Sequence, residues 1–185
     1  MENWLSYWVE GTNPLSKTIR PIAKEIIMKT QQSPEAALLT DIMLAIFRVN
    51  GRLLEKGDQL VRPINLTSSR WQVLGAVALA RKPLSAPQIA EAMGITRQGV
   101  QKQLNRLVKE NLLEQQHNPR HERSPLYLLS ETGLRTFGEA MVLEALWANE
   151  LVVGLSLPDL EATHRTLNAI HDRLDSPVPQ KGASA

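Results

Sequence analysis

Apolar residues recur at helical spacing over most of this chain. The clearest stripe follows Thr96, where apolar positions at i, i+4, i+7 and i+8 predict a helix with one buried face: Val100, Leu104, Leu107 and Val108. Similar stripes predict helices over residues 15–31, from Ser33 to about Lys56, from Thr67 through Ala80, and after Ser130 with a restart at Ser156. Only two segments, residues 112–117 and 126–129, are short and bounded by turn residues, which is typical of β-strands. The pattern predicts a mostly α-helical fold with a small β-hairpin.

A helix stops and restarts within three residues near the middle of the chain. Ser85 and Gln88 have the spacing of a capping box at the start of a first helix. Gly94 suits the left-handed residue that ends this helix, and Thr96 is a good N-cap for the next one, which should run to about Glu110. This arrangement is typical of a helix-turn-helix.

The second helix of this pair carries a polar face opposite its apolar stripe. Arg97 lies at the positive end of the helix dipole, where an acid would stabilise the helix. Arginine, lysine, glutamine and asparagine are the side chains that usually contact bases and phosphates in a major groove. We therefore expect DNA contacts from this face, and the alternative is a solvated basic helix: Thr96, Arg97, Gln98, Gln101, Lys102 and Asn105.

The predicted hairpin has an arginine-bearing loop. Asn118 to Pro125 contains two prolines and mostly polar residues, which favours a loop between two strands. Arg120 and Arg123 at its tip could contact a DNA backbone or enter a narrow minor groove. The alternative is a solvated hairpin that carries arginines by chance.

These segments together resemble the winged-helix core of the MarR family of bacterial transcription regulators. The resemblance rests on residues 67–74, on the helix pair, on the loop at residues 118–123 and on residues 128–133. It implies a homodimer that binds a pseudo-palindromic operator and is often regulated by a small molecule. The chain departs from the family pattern at His121, where an aspartate is usual, and at Asn111, where glycine is frequent.

The expected organisation is a winged helix-turn-helix core with dimerisation helices on both sides. The predicted DNA-binding domain covers residues 67–133. It is preceded by an N-terminal extension (1–14) and an N-terminal helical dimerisation arm (15–66), and it is followed by C-terminal dimerisation helices (134–174) and a disordered tail (175–185). The terminal helices carry more apolar surface than such a core needs to cover itself. We expect a second copy of the chain to cover it.

Composition narrows the classes of function. The chain has no cysteine, which excludes disulfides, thiol switches and cysteine-ligated zinc. The formal net charge is only +2, but residues 81–125 hold eight lysines and arginines against four glutamates. This local excess fits a nucleic-acid surface. Because no apolar run approaches a membrane span and no export signal is visible, we expect a cytoplasmic protein without membrane contact.

No catalytic motif is present, and we expect no enzyme activity, cofactor or metal. A metal site is conceivable at His164 and His171, with Glu161 and Asp172 nearby, but solvated histidines are the simpler interpretation. Two other functions compete with DNA binding. One is a winged-helix module that docks an acidic protein partner, and the other is a helical enzyme built from scattered glutamates and histidines.

An apolar cavity between the core and the helical arms could hold a small aromatic or hydrophobic effector. MarR-like proteins hold effectors in such a place. Ordinary core packing is the alternative for its five candidate residues: Met43, Phe47, Trp71, Leu74 and Trp147.

Overall fold

The computed structural model describes residues 32–177. Its six helices are α1 Pro34–Val61, α2 Ser68–Ala80, α3 Ala86–Met93, α4 Arg97–Lys109, α5 Glu131–Leu151 and α6 Leu157–Leu174. Its three strands are β1 Leu84–Ser85, β2 Leu113–Gln116 and β3 Leu126–Leu129, and a 3-10 turn spans Arg62–Ile64. The predicted fold class, mostly helical with a small β-wing, is confirmed. Three predicted segments lie wholly or mostly outside the described residues: the extension at 1–14, the helix at 15–31 and the tail at 175–185.

The chain divides into two compact units, residues 1–56 and 57–185. In the first unit the described structure is the N-terminal part of α1. The second unit contains the helix-turn-helix, the sheet, α5 and α6. Within residues 32–177, no helix is both long enough and apolar enough to cross a membrane.

Helix α1 extends past Lys56, where the sequence pattern predicted its end. Gly57 lies inside the helix and is buried, and a Cβ built on it would lie 2.6 Å from the Ser68 hydroxyl oxygen. The glycine therefore makes room for the start of α2 and does not end α1. Val61, the last residue of α1, is fully buried in the core.

Helix α2 lies at the centre of the second unit and packs against α3, α4, α5 and β3. The predicted apolar stripe of α4 is buried here, with Val100, Leu104 and Leu107 fully excluded from solvent. The largest of the other fully buried side chains come from α2, α3 and the strands: Val73, Leu74, Ile89, Leu113 and Tyr127. This core fixes the orientation of α4, whose opposite face is exposed.

The sheet has three antiparallel strands in the order β1-β3-β2. Leu84 of β1 pairs with Tyr127, and Gln115 of β2 pairs with Tyr127 from the other side. The sequence predicted the two hairpin strands and missed β1, since two residues are too short for an alternating pattern. The hairpin strand predicted at residues 112–117 is one residue shorter at each end.

Local caps set most of the helix starts, as the sequence predicted. The side chains of Thr67, Thr96, Ser130 and Ser156 each accept a hydrogen bond from a first-turn amide. At α3, Gln88 Oε1 accepts from the Ser85 amide at 2.9 Å, which is the predicted capping box.

Candidate nucleic-acid interface

The turn between α3 and α4 is as short as the sequence predicted. Gly94 has φ +60°, and its amide bonds to carbonyls of the last turn of α3. Two residues later Thr96 Oγ1 accepts from the Gly99 amide at 3.2 Å and starts α4. Helices α3 and α4 therefore form a helix-turn-helix.

The polar face of α4 is exposed along its length. All six residues that the sequence assigned to DNA contacts on this helix are exposed: Thr96, Arg97, Gln98, Gln101, Lys102 and Asn105. The side chains of Arg97, Gln98 and Lys102 have no hydrogen-bond or ion-pair partner within residues 32–177. Their charged and amide groups are therefore available to bind a partner molecule.

The charge of Arg106 is offset by Glu110. Arg106 Nε donates to Glu110 Oε1 at 2.9 Å, so the repulsion expected between Lys102 and Arg106 is reduced. Glu110 also pairs with Arg70 of α2, whose side chain is buried. Burial raises the pKa of Glu110, but the hydrogen bond from Arg106 and the charge of Arg70 outweigh it and lower the pKa below its ordinary value.

The hairpin loop is shaped by Asn118, a residue with no predicted role in the sequence. Asn118 is buried, its Nδ2 donates to the Ser124 carbonyl at 2.7 Å, and its Oδ1 accepts from the Arg120 amide at 3.1 Å. These bonds close the loop while the side chains of Arg120 and Arg123 stay exposed and unpaired within the described residues. An asparagine at the start of a polar loop is a common turn signal, and it was the available clue.

A groove of about 1070 Å³ joins the start of α4 to the hairpin loop. Arg97, Arg120 and Arg123 line it together, so the structure brings these three predicted residues to one place. Lys82, from the turn before β1, adds a fourth cation, and Glu122 is the one carboxylate among the lining residues. The groove therefore has the electrostatics of an anion-binding surface.

The other polar residues of α4 do not line this groove. Gln101 and Asn105 are hydrogen-bonded to each other, with Nε2 of Gln101 donating to Oδ1 of Asn105 at 2.9 Å. The same Gln101 nitrogen donates to the Tyr127 hydroxyl at 3.2 Å. The sequence pattern does not indicate Tyr127, because nothing local marks a strand tyrosine as the partner of a helix glutamine 26 residues away.

The five residues proposed to line an effector cavity have different environments. Met43 and Phe47 belong to the first unit and are exposed. In the second unit Leu74 is fully buried in the core, while Trp71 and Trp147 are half-buried. The effector cavity stays a prediction.

The histidines of α6 are solvent-exposed. His164 lies 3.3 Å from the Asn168 amide, and His171 lies 3.7 Å from Asp172. Within the part of the chain that the structure describes, no group of three or more histidine, aspartate or glutamate side chains could hold a metal ion.

The helix-turn-helix has an exposed basic second helix and is followed by a two-stranded hairpin. This arrangement defines a winged-helix fold, a class of nucleic-acid-binding domain. The comparisons with known proteins agree. The MarR family model matches residues 64–124. The chain is 38% identical over 128 residues to the uncharacterized protein Rv2011c of Mycobacterium tuberculosis, which covers 66% of this chain and 84% of that protein. The chain belongs to the MarR family.

Solved structures show the same fold. The transcriptional repressor CouR bound to a 23-mer DNA duplex aligns with TM-score 0.62 and 24% identity, over 76% of this chain and 99% of that chain. Staphylococcus aureus MarR in complex with salicylate and kanamycin aligns with TM-score 0.62 and 18% identity, over 74% of this chain and 92% of that chain.

Proposed function

We propose that the chain is a sequence-specific DNA-binding transcription regulator that acts as a dimer on a pseudo-palindromic operator. The observation that carries the proposal is the groove that joins α4 to the wing (the β2–β3 hairpin), where four cations face one glutamate. DNA presents a dense line of phosphates, which such a groove attracts. CouR, which has this fold, is a repressor bound to DNA.

The residues of the interface divide by chemistry into two groups. Arg97, Lys102, Arg120 and Arg123 carry charges that no described residue pairs with, and they would contact phosphates or, on the wing, the minor groove. Gln98, Gln101 and Asn105 carry amides on the same exposed face and would contact base edges in the major groove. Thr96 caps α4 and would add a phosphate contact at the helix N-terminus.

Dimerisation is supported by apolar side chains that the described chain leaves exposed. On α1, Phe47 is 73% exposed, and near the ends of α6, Leu157 is 68% and Leu174 is 74% exposed. Exposed apolar patches on globular proteins commonly mark sites of interaction with another protein chain. A two-fold dimer would place two α4 helices about 34 Å apart, in successive turns of a duplex.

We also propose that a small aromatic or hydrophobic molecule regulates DNA binding, and that the protein works in the cytoplasm, where bacterial DNA is. Staphylococcus aureus MarR, of the same fold, is known in complex with salicylate. An effector can weaken DNA binding only by its preference for a conformation that does not bind, which is typically about 1–3 kcal/mol. A shift in melting temperature or tryptophan fluorescence on adding such compounds tests this part.

Salt-dependent DNA binding tests the function. Lys102→Ala should weaken binding to every DNA sequence. It should also reduce the magnitude of the slope of log affinity against log salt concentration by about 0.9, since one phosphate contact is lost. Arg135→Ala is the matched control, because Arg135 is an exposed basic residue of α5 that pairs with Glu131 and belongs neither to the polar face of α4 nor to the groove. It removes the same charge and should leave the slope unchanged.

Equal effects of the two substitutions would show that only net charge matters and would contradict the proposed interface. Binding that depends on Lys102 but not on DNA sequence would favour a module that docks an acidic protein.

A further inference from the structure

We propose that Tyr127 sets the base preference of Gln101. Its hydroxyl holds the Gln101 amide so that the side-chain oxygen is left to face the DNA, and Gln101 then selects a base by its exocyclic amino group, as in adenine or cytosine. This inference rests on the proposed DNA-binding function and names a specificity-determining residue within it.

The amide nitrogen of Gln101 has two protons, and both are used within the protein. One is donated to Asn105 Oδ1 at 2.9 Å and the other to the Tyr127 hydroxyl at 3.2 Å. The oxygen of Gln101 has no partner within the described residues. Gln101 therefore offers an acceptor, and no donor, on the exposed face of α4.

Tyr127 is a rigid support for this arrangement. Its side chain is 1% exposed and lies in the central strand of the sheet, where Leu84 and Gln115 flank it on β1 and β2. Its hydroxyl also accepts from Gln115 Nε2 at 3.3 Å. Rotating the Gln101 amide by half a turn would put its oxygen against the Asn105 oxygen. The reverse orientation therefore requires the Asn105 amide to turn as well and the Tyr127 hydroxyl to change from acceptor to donor. Because the three groups must rearrange together, the network favours the orientation in which the Gln101 nitrogen faces Tyr127 and Asn105.

The orientation decides what Gln101 can recognise. In the major groove, adenine and cytosine present amino donors, while guanine and thymine present oxygen acceptors. An outward amide oxygen accepts from the first two and is repelled by the last two. The usual two-bond contact of glutamine with adenine also needs an N–H, which is occupied here. Asn105 can supply that donor, because its oxygen is bonded to Gln101 and its own nitrogen has no partner among residues 32–177.

The experiment measures binding to a selected DNA half-site in which single bases are replaced by analogues. One replacement removes only the amino group (purine for adenine, 2-pyrimidinone for cytosine), and the other replaces purine N7 by carbon. For the native protein, removing the amino group at one base should weaken binding about 3- to 10-fold. Gln101→Ala should not respond to that replacement, which identifies the base that Gln101 contacts.

Tyr127→Phe should also lose the response, because the amide is no longer held, while its affinity for random DNA stays within about twofold of native. Gln115→Met is the matched control. It removes the other donor to the same hydroxyl and leaves both Gln101 bonds in place, so the response should persist.

A response to N7 replacement that Gln101→Ala abolishes and Asn105→Ala retains, or a Tyr127→Phe protein that responds like the native one, would overturn the inference and leave the proposed function standing. The native and Gln101→Ala proteins decide the acceptor question even if Tyr127→Phe fails to fold, because Gln101 is exposed. Recovery of no DNA motif by the folded native protein would overturn both.

Discussion

Arg70, buried on α2, forms an ion pair with Glu110 at the C-terminal end of the proposed recognition helix α4. The other contacts of the guanidinium are local, to the Asn65 carbonyl at 2.8 Å and to Thr67 Oγ1 at 3.4 Å. Glu110 holds Arg106 as well, on the solvent side. The pair therefore joins the base of α4 to the central helix of the core.

Removing Glu110 should destabilise the protein more than removing an exposed glutamate. Glu110→Ala leaves the buried Arg70 without its carboxylate, and we expect a loss of about 1–3 kcal/mol in the free energy of unfolding. Glu161→Ala is the control, since Glu161 is exposed and its contact with Arg165 is 4.0 Å long. That change should stay within about 0.5 kcal/mol in urea unfolding. Similar losses from the two substitutions would contradict the role given to the Arg70 pair.

The contribution of Glu110 should depend on pH. Its pKa is lower in the folded protein than the ordinary value of 4.5, so its ionised form stabilises the fold above that pH. As pH falls through the lowered pKa, folding no longer gains from the carboxylate. The stability difference between native protein and Glu110→Ala should therefore shrink from pH 7 to about pH 3. Urea unfolding at several pH values measures it, and a constant difference would show that Glu110 acts through packing alone.

Two glycines of α5 should respond to alanine in opposite directions. A Cβ on Gly133 would lie 1.9 Å from the Leu112 carbonyl oxygen, while a Cβ on Gly138 would meet nothing within 4 Å. We expect Gly133→Ala to destabilise by more than about 2 kcal/mol, because backbone must move. Gly138→Ala should stabilise by about 0.5–1 kcal/mol, because alanine is the better helix former. Thermal unfolding of both variants tests this close approach of α5 to the residue before β2.

Loosening the wing should weaken DNA binding without changing charge. Asn118→Ala removes the two hydrogen bonds that close the loop, so Arg120 and Arg123 keep their charges but lose their fixed position. We expect about 3- to 10-fold weaker binding to any DNA, measured by fluorescence anisotropy. Asn149→Ala, at an exposed position of α5, should bind like the native protein. If Asn118→Ala also binds normally, the wing is not a DNA contact.

Local signals in the sequence predicted much of this fold. Thr67, Thr96, Ser130 and Ser156 mark helix starts because a cap depends on residues within one turn. Gly94 and Asn111 mark turns because few residues adopt a positive φ. The exposed face of α4 followed from the periodicity of its buried stripe, since the two faces of one helix determine each other.

The features that the sequence did not predict are contacts between residues far apart in the chain. Arg70 lies in α2 and Glu110 caps the end of α4, 40 residues further along the chain, so neither residue suggests the other. Tyr127 looks like an ordinary core tyrosine until the sheet is placed beneath α4. The predicted helix ended at about Lys56, because the role of the next residue, Gly57, which makes room for Ser68 within a longer helix, depends on packing. For the same reason, the sequence indicated the polar residues of the interface but could not show which of them are held by neighbours.

Selection of DNA by the purified protein is the most direct test of a sequence-specific dimeric regulator. The protein is equilibrated with random duplex DNA at about 150 mM salt, and native mass is measured on the same sample. We predict enrichment of a two-fold symmetric motif, with half-sites about one DNA turn apart, bound by two copies of the chain. A well-folded protein that enriches no motif, with no compound or with candidate aromatic effectors present, would contradict the central claim.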